Sequence, residues 1–318
     1  MNKQKNAPKT LAPEPQSFVN LPVCTDWQNL SADAVIFGVP YGKPYFQKNF
    51  PNDQSRAPFA LRSASNRIMV EHSSVNMDYQ GGLSLAEDIK FVDGGDIPLV
   101  NNDISTHYLR AEEAVRFAVE RGVIPVTIGG DDGITNPVLR GLDVARDIAL
   151  IQIDAHLDWK DDRYGEKDGF SSPMRRASEL SHITSIHQVG IRSFGSSTKE
   201  ELKIAKEWGA KIYLAREIHS QGIRHVINDI PAGVKFFITL DVDGLDPSVM
   251  PGTVALAPGG LLWWHLVDLL DGISQKGPII GLNVVELSPN QDLNQISMIG
   301  AGRFIASFVM REGIKNKT

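Results

Sequence analysis

The chain has 318 residues, 42% of them hydrophobic, which is enough to bury a sizeable core without disulfide support. Its formal net charge of −6 excludes a strongly basic footprint for nucleic acid and suits a protein that binds neutral or cationic small molecules. The single cysteine, Cys24, excludes an internal disulfide, matches a reducing compartment and has no catalytic partner near it in the sequence.

Residues 1–16 hold Lys3, Lys5 and Lys9 among Pro8, Pro13 and Pro15, with no apolar run. A signal peptide needs an apolar core behind its charges, so the stretch does not read as one. No segment approaches the roughly 18 consecutive apolar residues of a membrane-spanning helix, so no membrane partner is expected. The expectation is a cytoplasmic protein, with residues 1–20 a flexible tail and residues 21–318 one domain. From residue 33, short apolar runs alternate with longer amphipathic segments. Residues 34–39 read as a strand, followed by a loop rich in Gly, Pro and Tyr to Asp53. Pro58 suits a first helical turn, and the helix continues over 59–69. Residues 89–92 form a short strand closed by Asp93-Gly94-Gly95. A helix over 106–121 stops at Gly122, and a strand over 123–128 runs into Gly129-Gly130-Asp131-Asp132. The apolar residues 149–153 end at Asp154, and 173–180 read as a helix. Strands follow at 186–189, 211–214 and 234–240. Leu262, Leu266, Leu269, Leu270 and Ile273 have a helical spacing within 261–273. A strand over 278–285 and a helix over 299–311 complete the chain. Strands that are apolar throughout and separated by helices predict a buried, mostly parallel sheet with helices on both faces. The fold class expected is therefore α/β, a single three-layer domain.

Ligands in such folds bind at the carboxyl ends of the strands. Three strand ends carry acids: Gly129-Gly130-Asp131-Asp132, Asp154-Ala155-His156-Leu157-Asp158, and Asp241-Val242-Asp243-Gly244-Leu245-Asp246-Pro247. In extended chain, residues i, i+2 and i+4 point the same way, so Asp154, His156 and Asp158 converge, as do Asp241 and Asp243. A lone Asp after a strand is usually a turn former or a helix cap, and Asp246 before Pro247 is read so. Clustered carboxylates, however, repel unless cations neutralise them. Two divalent metals about 3.5–4 Å apart would do so and would activate a water near neutral pH. A carboxylate-rich set with one imidazole favours manganese over a thiolate-type zinc site, and nickel also suits these donors.

These motifs, with Pro251-Gly252-Thr253 and Val284-Val285-Glu286, resemble the ureohydrolase family, which includes arginase and agmatinase. The resemblance runs from Gly38-Val39-Pro40 to the last helix. It implies an eight-stranded sheet and hydrolysis of a guanidinium group to urea and an amine by a hydroxide that bridges two metals. It also implies Asp154 and Asp241 as bridging carboxylates, His156 and Asp243 as ligands of one metal, and Asp158 and Asp132 as ligands of the other. Glu286 matches the glutamate that pairs with the guanidinium, a planar partner suited to a carboxylate. Two positions depart from the family pattern: Asp132 stands where a histidine is usual, and Phe170 stands where many relatives have a proton-shuttling histidine. With Phe170 there, proton delivery falls to Asp158, a water or another residue. The run from Asp154 to Arg176, including Trp159, is similar to a branch that hydrolyses guanidine and biguanides such as metformin, some members of which use nickel.

The expected catalytic residues are thus Asp158 and Glu286, with Glu286 and Trp159 binding substrate. Asp132, Asp154, His156, Asp158, Asp241 and Asp243 are the expected ligands of two Mn or Ni ions. The expected substrate is a small cationic guanidino or biguanide compound, bound by a homo-oligomer (trimer or hexamer) or a hetero-oligomer with a related subunit. Trp159, Lys160, Tyr41 and Tyr45 are candidates for pocket walls, where an aromatic face holds a cation by about 0.5–2 kcal/mol; packing is the competing reading, even for Trp159 and favoured for the tyrosines. His182 and His187 read as structural or surface residues, and Trp263 and Trp264 as packing residues. The alternative function is a non-catalytic or weakly metallated subunit that supports a related active hydrolase, motivated by Asp132 and Phe170. A deacetylase of the same broad fold is a third reading, which Glu286 and the paired DxD-type motifs disfavour.

Overall fold

A computed structural model describes residues 7–42, 53–68, 75–79, 82–84, 89–99 and 103–315; Tyr45 lies outside them. The strands are β1 (Ala34–Gly38), β2 (Val75–Asn76), β3 (Leu83–Ser84), β4 (Phe91–Asp96), β5 (Ile124–Ile128), β6 (Ile148–Ile153), β7 (Ile183–Ile191), β8 (Lys211–Leu214), β9 (Lys235–Asp241) and β10 (Ile279–Val285). The helices are α1 (Ala57–Ser65), α2 (Ile104–Glu120), α3 (Thr135–Arg140), α4 (Pro173–Ala177), α5 (Lys199–Trp208), α6 (Ala215–Gln221), α7 (Arg224–Asp229), α8 (Trp263–Lys276) and α9 (Ile296–Lys315). Eight strands form one sheet in the order β4-β1-β5-β10-β9-β6-β7-β8, parallel at every pairing, while β2 and β3 make a separate antiparallel pair.

Both faces of the sheet are buried, which is why its strands read as continuous apolar runs. Within β1, Ile36 joins one core with Leu61, Leu266 and Phe304, while Val35 and Phe37 join the other with Val115, Val138 and Ala205. Among the described residues, no helix is long and apolar enough to cross a membrane. Helices α3, α5, α6 and α7 are additions to the sequence reading. The Thr198 hydroxyl accepts from the Glu201 amide while the Glu201 carboxylate accepts from the Thr198 amide, a capping box that starts α5. Gly209, left-handed at φ 103°, ends it.

The expected flexible tail is, from residue 7 onward, a docked segment. Strand β4 is the sheet edge, and Leu11 exchanges backbone hydrogen bonds of 2.8 and 3.0 Å with Asp96 along it. Phe18 is fully buried and its amide donates to the Asp93 carboxylate at 2.8 Å. Covering an edge strand in this way removes a row of open backbone donors and acceptors. A segment with isolated apolar residues among prolines has no periodicity to announce such a contact. A second correction concerns Trp264, which is 57% exposed, whereas Trp263 is partly buried and its indole donates to Asp78.

Arg62 ties this corner together. Its guanidinium makes a two-pronged contact with Asp93 at 2.9 and 3.0 Å and reaches Asp96 at 2.6 Å, with Arg62 and Asp93 fully buried. Removing one partner of such a pair leaves an uncompensated charge in the interior. We expect Arg62→Met to destabilise the fold by about 3–5 kcal/mol. Equilibrium urea unfolding checks this; a loss below about 1 kcal/mol, typical of exposed pairs, would show that the corner is held by other means.

Candidate metal centre

Four neighbouring strands, β5, β10, β9 and β6, bring their carboxyl ends to one place. They deliver Asp131 and Asp132, Glu286, Asp241, and Asp154 respectively. Gly130 is required at the first of these ends. A Cβ there would lie 1.4 Å from the Tyr41 carbonyl oxygen, which accepts from the Asp131 amide at 2.9 Å.

Two triads result. Ligand atoms of Asp132, Asp154 and Asp241 lie within 4.8 Å of one another, and so do those of Asp154, His156 and Asp243. Asp154 belongs to both, so the sites share a wall. The four carboxylates of these triads are at most 5% exposed. His156 Nδ1 sits 3.0 Å from Asp243 and 3.4 Å from Asp154. Asp158 stands beside the triads and outside both: Gln152 Nε2 donates to Asp154 at 2.7 Å and to Asp158 at 3.0 Å. Asp158 and Glu286 both hold left-handed backbone, at φ 55° and 64°, an uncommon and costly conformation for residues that carry a Cβ.

The electrostatics follow from burial. Desolvation first, then Asp154, push the Asp132 and Asp158 carboxyls well above the usual range; for Asp241 the second cause is Asp243. Burial followed by Asp243 raises Asp154 as well. Against its own burial, His156 is pushed up to about 11 by Asp243 and Asp154, and in turn it holds Asp243 below the ordinary value despite that residue's burial. Burial and then Asp131 raise Glu286 to about 8. A dry nest of carboxylates around one imidazole is short of positive charge, which a bound cation would supply. Its oxygen-rich donors with one imidazole nitrogen fit a pair of divalent ions.

The nest floors a cavity of about 280 Å³ whose lining includes Glu286, Gln54, Trp159, Lys160, Arg163 and Phe170. Glu286 accepts from the Asp132 amide at 2.7 Å and from Gln54 at 2.6 Å. Gln54 was not foreseen, since its partner lies 232 residues away. Trp159 lines the cavity but is 2% exposed; its ring packs on Trp208 and its indole N–H donates to Gln188. Lys160 pairs with Glu201 at 2.7 Å, tying the cavity rim to the cap of α5. Tyr41 packs on His107 and Tyr108, the packing role favoured for it. His182 and His187 are buried with partners of their own, the Leu139 carbonyl and the Tyr213 hydroxyl.

Residues 32–310 match the arginase family. The chain is 30% identical over 265 residues to an N(1)-aminopropylagmatine ureohydrolase of Thermus thermophilus, covering 81% of this chain and 84% of the relative. It is 29% identical over 278 residues to an agmatinase of Bacillus cereus, covering 87% and 90%. The fold is similar to that of proclavaminate amidino hydrolase from Streptomyces clavuligerus, with TM-score 0.79, 27% identity and coverage of 94% and 97%.

The titration shifts fix how stability should vary with pH when metal is withheld. A carboxyl raised in the folded state stabilises fully below its unfolded value near 4, and that contribution fades as pH climbs through the folded value, about 8 for Glu286. His156, raised to about 11, has the same sign and loses its contribution from about 6.5 upward. Asp243, being lowered, loses its contribution only in acid. The melting temperature of chelator-treated protein should therefore fall between about pH 5 and pH 8, while saturating Mn2+ should raise it more at the higher pH. Calorimetry in chelator and in Mn2+ measures both; a metal-induced gain that shrinks toward pH 8 would contradict the charge balance described.

Proposed function

The chain belongs to the arginase family of ureohydrolases, hydrolases of C–N bonds in linear amidines, and on that premise we propose that it uses two divalent ions to hydrolyse a compact monocationic guanidino or biguanide compound. The observation that carries the reading is the pair of triads sharing Asp154, set below Glu286 at the floor of the cavity. Asp132, Asp154 and Asp241 would hold one ion, and Asp154, His156 and Asp243 the other, with Asp158 beside them. Asp132 is shorter than the imidazole the family pattern has there, yet it still meets the other ligand atoms within 4.8 Å, which argues against a dismantled site and so against a purely supporting subunit. Manganese is the ion the oxygen-rich donors favour, with nickel as the second choice.

When bound, the ions would supply a water ionised near neutral pH and polarise the reacting group. The protein's own residues do the rest. Glu286 spends two of roughly four lone-pair positions on Gln54 and the Asp132 amide, which leaves acceptor capacity for a guanidinium. The water oxygen bonds to the guanidinium carbon, the bond to the leaving nitrogen breaks, and both water protons depart on the amine. Phe170 on the cavity wall cannot carry a proton, so Asp158, which faces the cavity, is assigned to that transfer. Arg163 on the lining opposes a second positive charge such as the distal ammonium of agmatine, while the apolar Phe170 suits an alkylated group. By analogy with its family the enzyme is assigned a trimeric or hexameric assembly.

Release of urea and amine from guanidine, guanylurea, metformin, agmatine, arginine and guanidinobutyrate, each with Mn2+ and with Ni2+, tests the reading. Turnover is expected for a compact monocation and at least tenfold less for agmatine. Asp241→Asn should reduce kcat by at least about 100-fold, by analogy with the loss of a group that stabilises charge in the transition state. Full activity in that variant, or a wild-type chain that retains no divalent metal after supplementation, would overturn the assignment and favour the supporting-subunit reading.

A further inference from the structure

Five polar side chains sit where the sheet would otherwise be apolar. Thr127, Asn283, Thr239, Gln152 and Gln188 are register partners across β5, β10, β9, β6 and β7, so they form one transverse row. All are at most 2% exposed. Asp241 and Asp154 follow Thr239 and Gln152 by two positions and rise from the same face of the sheet. The row is therefore the layer directly beneath the carboxylates.

Its hydrogen bonds run in two directed chains. On one side the Thr127 hydroxyl donates to Asn283 at 2.6 Å, Asn283 donates to Thr135 at 2.7 Å and to Thr239 at 3.1 Å, and the Thr135 hydroxyl donates to Asp132 at 2.5 Å. On the other, the Trp159 indole donates to Gln188 at 2.8 Å, and Gln188 donates to Gln152 at 2.5 Å and to the Leu157 carbonyl at 2.8 Å. Gln152 then gives one N–H to Asp154 and the other to Asp158. An indole N–H can only donate and a backbone carbonyl can only accept, so chemistry fixes which way both amides face. Burying so many polar groups is costly unless each is satisfied, and a satisfied network holds a single geometry.

We infer that this row is a positioning layer that presents Asp132, Asp154 and Asp158 to the metal pair and links the cavity wall at Trp159 to that pair. The inference rests on the two-metal reading of the site. Each chain ends on a carboxylate oxygen as acceptor, so the layer favours charged oxygens aimed at a cation over carboxyls paired with one another. Outer hydrogen bonds of this kind typically change metal affinity by about 10–100-fold when removed.

The test is Mn2+ binding to the full chain, followed by the loss of the free-ion signal in electron paramagnetic resonance. Gln152→Met keeps the length and removes both donors; it should weaken Mn2+ binding by about 10–100-fold. Trp159→Phe removes the indole N–H at the far end of the chain, together with part of the ring, and should weaken binding by a smaller, measurable factor. Unchanged Mn2+ affinity in a folded Gln152→Met protein, with only its metal-free melting temperature lowered, would mean that the row is structural and would overturn the inference. Should Gln152→Met not fold, Trp159→Phe decides by the same criterion. Failure of the wild-type chain to bind Mn2+ or Ni2+ would overturn the two-metal reading itself, whereas wild-type binding that both variants share would overturn the positioning layer alone.

Discussion

Like charges packed into a dry space require an opposite charge, and the centre of this molecule is arranged around that requirement. Asp132, Asp154, Asp158, Asp241 and Asp243 are all within a buried nest, and His156 is the imidazole among them. The sheet order explains how they meet. Strands β5, β10, β9 and β6 are neighbours in space, so acids separated by more than a hundred residues stand side by side. Left-handed backbone at Asp158 and Glu286 is tolerated there because dense packing and hydrogen bonds over-determine it.

The layers above and below the nest divide the labour. Below, buried amides and hydroxyls set the direction of the carboxylates. Above, Gln54 and Glu286 face a cavity with cationic and aromatic groups on its lining. The capping box of α5 reaches this rim, because Glu201 serves the helix start with one oxygen and Lys160 with the other. A local folding signal and the shape of the cavity mouth are thus carried by the same carboxylate.

Much of this was legible in the sequence. An apolar strand that stops at an acid is a visible event, and the spacing of Asp154, His156 and Asp158 or of Asp241 and Asp243 shows which side chains can converge. The parallel sheet was readable from uninterrupted apolar runs. Other parts were not. Gln54 meets Glu286 only through the fold, and no local pattern marks it. Helix α5 is mostly charged, and its apolar stripe of Leu202, Ala205 and Trp208 is short, although Thr198, Glu201 and Gly209 mark its two ends. The polar row left a trace that becomes readable once the strands are aligned: a single polar residue two positions before the acids, in Gln152 and Thr239 alike. Wall and packing are equally legible roles for Trp159, and it fills both, lining the cavity while its N–H is buried against Gln188.

The docked segment before β1 has a bearing on how the chain can be handled. By composition, residues 1–20 look expendable, and shortening them would be an ordinary choice when preparing the protein. Yet Leu11 and Phe18 are among the contacts that close off β4. Trimming back past Phe18 would leave Pro22 and Cys24 paired with Asp93 but would open the Asp96 end of β4, a short template for pairing with a neighbouring copy, with the metal ligands untouched. One end of the sheet edge is thus guarded by a stretch that takes no part in the chemistry.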